Sequence, residues 1–163
     1  SARTSAALVV APRWRQRVRP LVASARAVEG FPSSFTYLGT QDPSAHLSLP
    51  AALAFPQEYL GVSFAQLRAA NTARLDEGLT FLAERLQLTP HTPNGLPLNV
   101  IGLGATGDDA AAAAMTLALR ERGVEVAVTS IDGQLHARVS VQAYVQPADF
   151  ERLADALGPA LGR

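Results

Sequence analysis

Residues 124–145 carry the strongest structural signal of the sequence and read VEVAVTSIDGQLHARVSVQAYV. Asp132-Gly133 is a two-residue link typical of a tight β-hairpin, so we predict strands over 124–131 and 134–145. In the second strand, small and aliphatic side chains alternate with polar ones, which indicates one packed face and one open face. The polar row contains His136, Arg138, Ser140, Gln142 and Tyr144.

Three helices and one further strand are predicted around this hairpin. Ser63 and Gln66 have the spacing of a capping box, which indicates the start of a helix running to about residue 87. A strand over 98–103 and a helix capped by Thr106 follow, and Pro147 opens the last helix. The order from residue 63 is therefore α-β-α-β-β-α. We predict an α/β protein of the α+β kind, with a small, mostly antiparallel sheet covered by helices on one face.

Residues 1–62 give a different pattern. A short strand is expected over Ser5 to Val10, and residues 23–42 form a long irregular connection. Asp42-Pro43 indicates a helix start. Between these lies a basic stretch, RWRQRVRP, whose alternate arginines would share one face of an extended segment. It is either an anion-binding strip or a solvated surface, and its arginines are Arg13, Arg15, Arg17 and Arg19.

Composition excludes several classes of function. The 14 basic and 14 acidic side chains give zero net charge, so we expect neither nucleic acid nor a membrane surface as a partner. The chain has no cysteine, which excludes disulfides, cysteine zinc sites and a catalytic thiol on this chain. It has no lysine, so a Schiff base cannot form on these residues. Its histidines are widely separated, which disfavours a three-histidine metal site; they are His46, His91 and His136.

Two positions are candidates for ligand binding. Arg138 lies near the middle of the polar strand row, where a guanidinium on a rigid strand can hold a carboxylate through two parallel hydrogen bonds. Gly39-Thr40 is the second candidate, because glycine permits close backbone approach to a ligand and the threonine hydroxyl can contact a phosphate. The plain alternative for both positions is ordinary solvent-exposed surface.

Three motifs resemble one enzyme family. Residues 37–53 read YLGTQDPSAHLSLPAAL, residues 137–144 read ARVSVQAY, and residues 17–22 read RVRPLV. Together they are similar to class V aminotransferases, and most similar to the isopenicillin N epimerase-like branch. These are pyridoxal phosphate (PLP) enzymes of fold type I. The motif order agrees over nearly the whole chain, although Gln41 stands where the branch often has arginine.

The resemblance implies the C-terminal part of such an enzyme. Residues 1–62 would end the large cofactor-binding domain, and residues 63–163 would form the small domain. The lysine that binds PLP is expected upstream of Ser1, within a cofactor domain that this chain lacks. Arg138 would hold the α-carboxylate of an amino-acid substrate. Gly39 and Thr40 would contact the cofactor phosphate of the neighbouring subunit in a homodimer.

The resemblance leaves the reaction open among epimerisation, transamination and C–S lyase chemistry at Cα. The alternative outside the enzymes is a non-catalytic α+β module for binding or dimerisation. On its own, the chain is expected to be inactive. No signal peptide is recognisable at the first residues, which favours a cytoplasmic location.

Overall fold

A computed structural model describes residues 8–163. The contacts divide the chain between Gly61 and Val62, giving an N-terminal unit and a C-terminal unit, Val62–Arg163. The assignment of the first unit to a large cofactor domain stays a prediction. In the part of the chain that is described, no helix is both long enough and apolar enough to cross a bilayer.

The C-terminal unit has the predicted order of elements. Its helices and strands, in chain order, are α3 (Phe64–Arg85), β1 (Leu98–Thr106), α4 (Asp109–Glu121), β2 (Ala127–Ile131), β3 (Gln134–Ser140) and α5 (Pro147–Ala160). The three strands form one antiparallel sheet in the order β1-β3-β2, so that β3 is the central strand. The predicted fold class is confirmed.

Local signals explain how these elements begin. The Ser63 side chain accepts a hydrogen bond from the Gln66 amide, and the Gln66 side chain accepts one from the Ser63 amide, which completes the predicted capping box of α3. The hairpin joins β2 to β3 through Asp132 and Gly133, both with positive φ as a tight turn requires.

One face of the sheet carries the core of the unit. Buried strand residues alternate along β1 and β3, and helices α3, α4 and α5 pack together on that side. Since burying each large aliphatic side chain contributes roughly 1.5–3 kcal/mol, this cluster supplies the main stabilisation of the unit. Its fully buried large members are Leu75, Leu79, Leu82, Ile101, Leu103, Leu119, Val141 and Leu157.

The N-terminal unit is built from short elements. Three 3-10 turns, Pro12–Trp14, Ala27–Glu29 and Ser33–Phe35, precede helices α1 (Ser44–Leu47) and α2 (Leu49–Leu60). Its long connection is irregular apart from these turns, as predicted.

Two predictions for the first residues of the N-terminal unit are wrong. No strand forms at Leu8 to Val10, and the rest of the expected strand, Ser5 to Ala7, lies outside the described residues. The basic stretch is not extended, because the Trp14 and Arg15 amides donate to Ala11 and Pro12 and close a turn.

Two predictions in the C-terminal unit also need correction. Strand β1 continues through Thr106, so Asp108 rather than Thr106 caps α4, its carboxylate accepting the Ala111 amide at 2.9 Å. Strand β3 ends at Ser140 instead of residue 145. The Val145 amide donates to the Gln142 carbonyl at 3.0 Å, and this turn leads into α5.

Candidate carboxylate site on the open face of the sheet

The face of the sheet opposite the helices is open, and two neighbouring rows of side chains cross all three strands at its centre. Val100, Arg138 and Ala127 form one row, and Gly102, His136 and Thr129 form the next. Directly opposed residues of antiparallel strands project to the same side of a sheet. Each row therefore has a polar side chain on the central strand with smaller neighbours on both sides.

Arg138 is exposed at the centre of this face. Its neighbours Val100 and Ala127 bring no charge and no hydrogen-bonding side chain. Among the residues that the structure describes, the Arg138 guanidinium has no hydrogen bond and no carboxylate within 4.0 Å. A guanidinium on a central strand, with its donors unused, can take up a carboxylate in bidentate fashion.

His136 lies two residues before Arg138 on the same face of β3. Its Nδ1 is 2.9 Å from the carbonyl oxygen of Gln134. Across the strands it faces Gly102 on one side and Thr129 on the other. The alternation along the sequence predicts His136 on the same strand face as Arg138, and the structure puts the two side chains in adjacent rows.

Gly39 and Thr40 belong to the N-terminal unit, where both are exposed in an irregular segment before α1. Gly39 has φ of 119°, a conformation that L side chains rarely adopt. In residues 8–163, no atom apart from the glycine and its two chain neighbours lies within 4 Å of the position that a Cβ would take there. The segment thus offers an accessible backbone and an adjacent hydroxyl.

Asp42 organises the start of α1 just after this segment. Its Oδ1 accepts hydrogen bonds from the Ser44 hydroxyl at 2.5 Å and from the Ser44 amide at 2.9 Å. These two bonds, the hydroxyl bond first, lower the pKa of the Asp42 carboxyl below its ordinary value. Asp42 therefore caps the start of the helix, as predicted, although α1 begins at Ser44 rather than at Pro43.

The remaining candidates from the sequence take local roles. In the basic stretch, the guanidinium carbons of Arg13 and Arg17 lie 6.0 and 4.8 Å from the centre of the Trp14 ring. Arg15 lies 5.7 Å from the ring of Phe31. His91 is 3.1 Å from Asp76, with only 4% of its side chain exposed. It is therefore an internal partner of α3 rather than a ligand-binding group.

Sequence reasoning missed one cavity of about 200 Å³ between α3 and α5. None of the predicted site residues lines it. Its walls are Arg74, Glu77, Gly78, Phe81, Pro147, Phe150 and Glu151. Residues from two helices far apart in sequence form it, and periodicity alone does not reveal such a juxtaposition.

Comparison with known proteins supports the fold. No protein-family model matches the sequence, and no curated protein matches it. Among solved structures, a variant of SPT with PLP matches with a TM-score of 0.56 at 19% identity, over 84% of this chain and 34% of that chain. A low-resolution SPT structure matches with a TM-score of 0.55 at 16% identity, over 84% and 37%. The 8-amino-7-oxononanoate synthase of Francisella tularensis gives a TM-score of 0.44 at 18% identity, over 57% and 28%.

These likenesses define the fold as that of the C-terminal part of a PLP-dependent transferase. The chain spans about a third of the length of the SPT chains that it matches. Because the C-terminal unit is less than two thirds of the chain, coverage of 84% extends into the N-terminal unit.

Proposed function

We propose that this chain is the C-terminal part of a PLP-dependent enzyme that acts at Cα of an amino acid, of the isopenicillin N epimerase-like branch of class V aminotransferases. The observation that carries the proposal is the unpaired Arg138 guanidinium on the open face of a sheet with this fold. The sequence motifs around Arg138 and around Gly39-Thr40 support the branch.

Arg138 binds the substrate carboxylate in this proposal. Strand pairing on both sides fixes the backbone of β3, so the guanidinium is held on a rigid support. Bidentate binding fixes the orientation of the carboxylate and thereby the direction of the bonds at Cα. Orientation of this kind contributes several kcal/mol toward lowering a reaction barrier.

The residues present can contact the phosphate of PLP but cannot bind the cofactor covalently. When bound, PLP serves as an electron sink for reactions at the substrate Cα. The Thr40 hydroxyl and the accessible backbone at Gly39 donate to the cofactor phosphate of the neighbouring subunit in the proposed homodimer. None of the 163 residues is lysine, so the amine that binds PLP covalently comes from a segment before Ser1 in this proposal.

Exposed apolar side chains in the N-terminal unit support a larger assembly. Val28, Leu47 and Tyr59 are 98%, 72% and 74% exposed. Among residues 8–61 no large apolar side chain is buried, so these residues form no apolar core of their own. In this proposal the large cofactor domain, of which residues 1–62 form the end, covers these exposed side chains.

The test uses the protein that includes the preceding cofactor domain. Arg138→Ala is expected to raise KM for the amino acid about ten- to a hundredfold, because charge-assisted hydrogen bonds contribute about 1.5–3 kcal/mol. The Kd for PLP, followed by the visible absorbance of the bound cofactor, is expected to change much less. Arg152→Ala is the matched control, since Arg152 is an exposed arginine on α5 with 77% of its side chain accessible.

Thr40 is tested separately. Thr40→Val is expected to weaken PLP binding, whereas Thr40→Ser keeps the hydroxyl and should restore it. An unchanged KM in Arg138→Ala contradicts the carboxylate role, and a protein with no PLP absorbance contradicts the enzyme class.

A further inference from the structure

We propose that His136 is a second substrate-recognition residue, which accepts a hydrogen bond from a donor group on the side chain of the amino acid bound by Arg138. This inference rests on the proposed function, because it takes the carboxylate position at Arg138 as its reference point. It adds the class of substrate: an amino acid whose side chain carries a hydroxyl, amine or amide N–H.

The first step is the placement of the two side chains. His136 and Arg138 are separated by one residue on β3, so their Cα atoms are roughly 6–7 Å apart and their side chains project to the same face. Two rows flank Arg138 on this face, that of His136 and that of Ser140 with Leu98, and the proposed ligand extends over the first. His136 occupies the centre of that row.

A hydrogen bond to the backbone selects the tautomer of the neutral His136 imidazole. The nearest partner of Nδ1 is the Gln134 carbonyl oxygen at 2.9 Å, and a carbonyl oxygen can only accept. Nδ1 therefore carries the hydrogen, which leaves the lone pair of Nε2 in the neutral ring as an acceptor. The backbone of β3 itself fixes this tautomer.

The third step is access to Nε2. A Cβ built at Gly102 would lie 3.8 Å from both Nε2 and Cδ2 of His136, so this edge of the ring faces a position that has no side chain. Within the described residues, nothing donates to Nε2. The acceptor thus lies beside a residue without a side chain, in the row next to that of Arg138.

The chemistry then selects the ligand. A hydroxyl or amine hydrogen satisfies the Nε2 lone pair, whereas an ether oxygen or a second carboxylate places one acceptor against another. An aliphatic side chain offers the Nε2 lone pair no hydrogen to accept. The preference expected from one neutral hydrogen bond is about three- to tenfold in Kd.

The experiment uses the 163-residue chain, labelled with ¹⁵N, and two small probes. Both 4-hydroxybutyrate and 4-methoxybutyrate carry a carboxylate and an oxygen at the same position, but only the first has a hydrogen to donate. Binding is followed in NMR spectra at the Arg138 Nε–H and at the His136 ring nitrogens. We expect both probes to shift the Arg138 signal, and only 4-hydroxybutyrate to shift Nε2 and to bind about three- to tenfold more tightly.

Variants assign the preference to one atom. His136→Phe keeps a ring but removes the acceptor, so the ratio of the two Kd values is expected to fall to about one while the Arg138 shifts remain. His136→Gln keeps an acceptor oxygen and is expected to recover part of the preference. Both substitutions lie on the open face of the sheet, and the amide spectrum reports whether the fold is kept.

The outcomes separate the two proposals. Equal affinity of the probes, with the Arg138 shifts present, overturns the His136 inference and leaves the carboxylate site standing. A preference that survives in His136→Phe overturns it as well, since another group must then accept the hydrogen. If neither probe shifts Arg138, the carboxylate role fails and the inference about His136 fails with it.

Discussion

The two units of this chain differ in where their apolar side chains lie. In the C-terminal unit, Leu79 and Leu157 are fully buried in a core that joins three helices to the sheet. In residues 8–61, the buried residues are Ser24, Ser34 and Pro56, and the large apolar side chains are mostly exposed. One unit buries its apolar surface within itself, while the other presents that surface outward.

This difference parallels the sequence separation of the hydrogen bonds within each unit. Long-range contacts connect the C-terminal unit, such as the Arg74 guanidinium donating to the Val145 carbonyl at 2.8 Å. Short turns dominate the N-terminal unit, such as the Trp14 amide donating to the Ala11 carbonyl at 2.9 Å. Local turns without a core do not offset the conformational entropy of the chain. We therefore expect the N-terminal unit to need a partner surface, which the proposed function assigns to the cofactor domain.

Separate expression of the two units tests this comparison most directly. Residues 62–163 alone are expected to unfold in urea with one cooperative transition, because their core is internal. Residues 1–61 alone are expected to show no cooperative transition. Circular dichroism and tryptophan fluorescence of Trp14 provide the measurements. A cooperative transition in residues 1–61 would show that this unit has a core of its own.

Paired leucine substitutions in the full chain are expected to give the next largest effect. Leu79→Ala removes a fully buried side chain and should lower the free energy of unfolding by about 2–5 kcal/mol. Leu53→Ala removes a leucine that is 61% exposed and should change it by less than about 0.5 kcal/mol. Urea denaturation measures both, and equal losses would contradict the contrast between the units.

The same contrast explains how far sequence reasoning reaches. In the C-terminal unit, the capping box at Ser63 and the Asp132-Gly133 turn are local signals that agree with the tertiary packing, so the element order is predicted. In the N-terminal unit, apolar Leu8 to Val10 resembles a strand by composition. A strand needs a neighbouring strand for its hydrogen bonds, and none is available to these residues in the described part of the chain.

The candidate site shows a similar limit. Alternation along β3 was enough to put Arg138 on the open face. The role inferred for His136 depends on Gly102, which faces it from β1, and on the Gln134 carbonyl. Register between strands and the tautomer of a histidine are properties of the folded chain, so no pattern within one segment predicts them.

A pair of glycine substitutions sharpens the description of the core. Gly78 lies on α3 where an added Cβ would overlap the ring of Phe150. Gly78→Ala is expected to lower the free energy of unfolding by about 1–3 kcal/mol, because the buried Phe150 ring must move to admit the methyl group. Gly102→Ala is the control, since its Cβ would meet only ordinary contacts at 3.8 Å. An equal or higher stability for Gly78→Ala would show that α3 and α5 pack less tightly than described.

The smallest expected effect is on the acid dependence of unfolding. It concerns two carboxyl groups with lowered pKa values, one in each unit. Arg120 donates two hydrogen bonds to Glu125, at 2.8 and 2.7 Å, and thereby lowers the pKa of the Glu125 carboxyl below 4.5. A carboxyl whose pKa is lower in the folded state stabilises that state above its unfolded pKa, and the contribution is lost as pH falls through the folded value. Glu125→Gln should therefore make unfolding slightly less sensitive to acid below pH 4.5. Glu121→Gln, an exposed glutamate nearby on α4, serves as its control.

Asp42 provides the counterpart in the N-terminal unit. Its pKa is also lowered, by the two hydrogen bonds from Ser44. Because residues 8–61 bury no large apolar side chain that could couple this local bond to cooperative unfolding, Asp42→Asn should leave the acid dependence of the main urea transition unchanged. NMR titration of the Asp42 carboxyl should still show the lowered pKa, which Ser44→Ala should raise toward its ordinary value. A change in the main transition on Asp42→Asn would mean that the two units unfold together, and the contrast between them would then be lost.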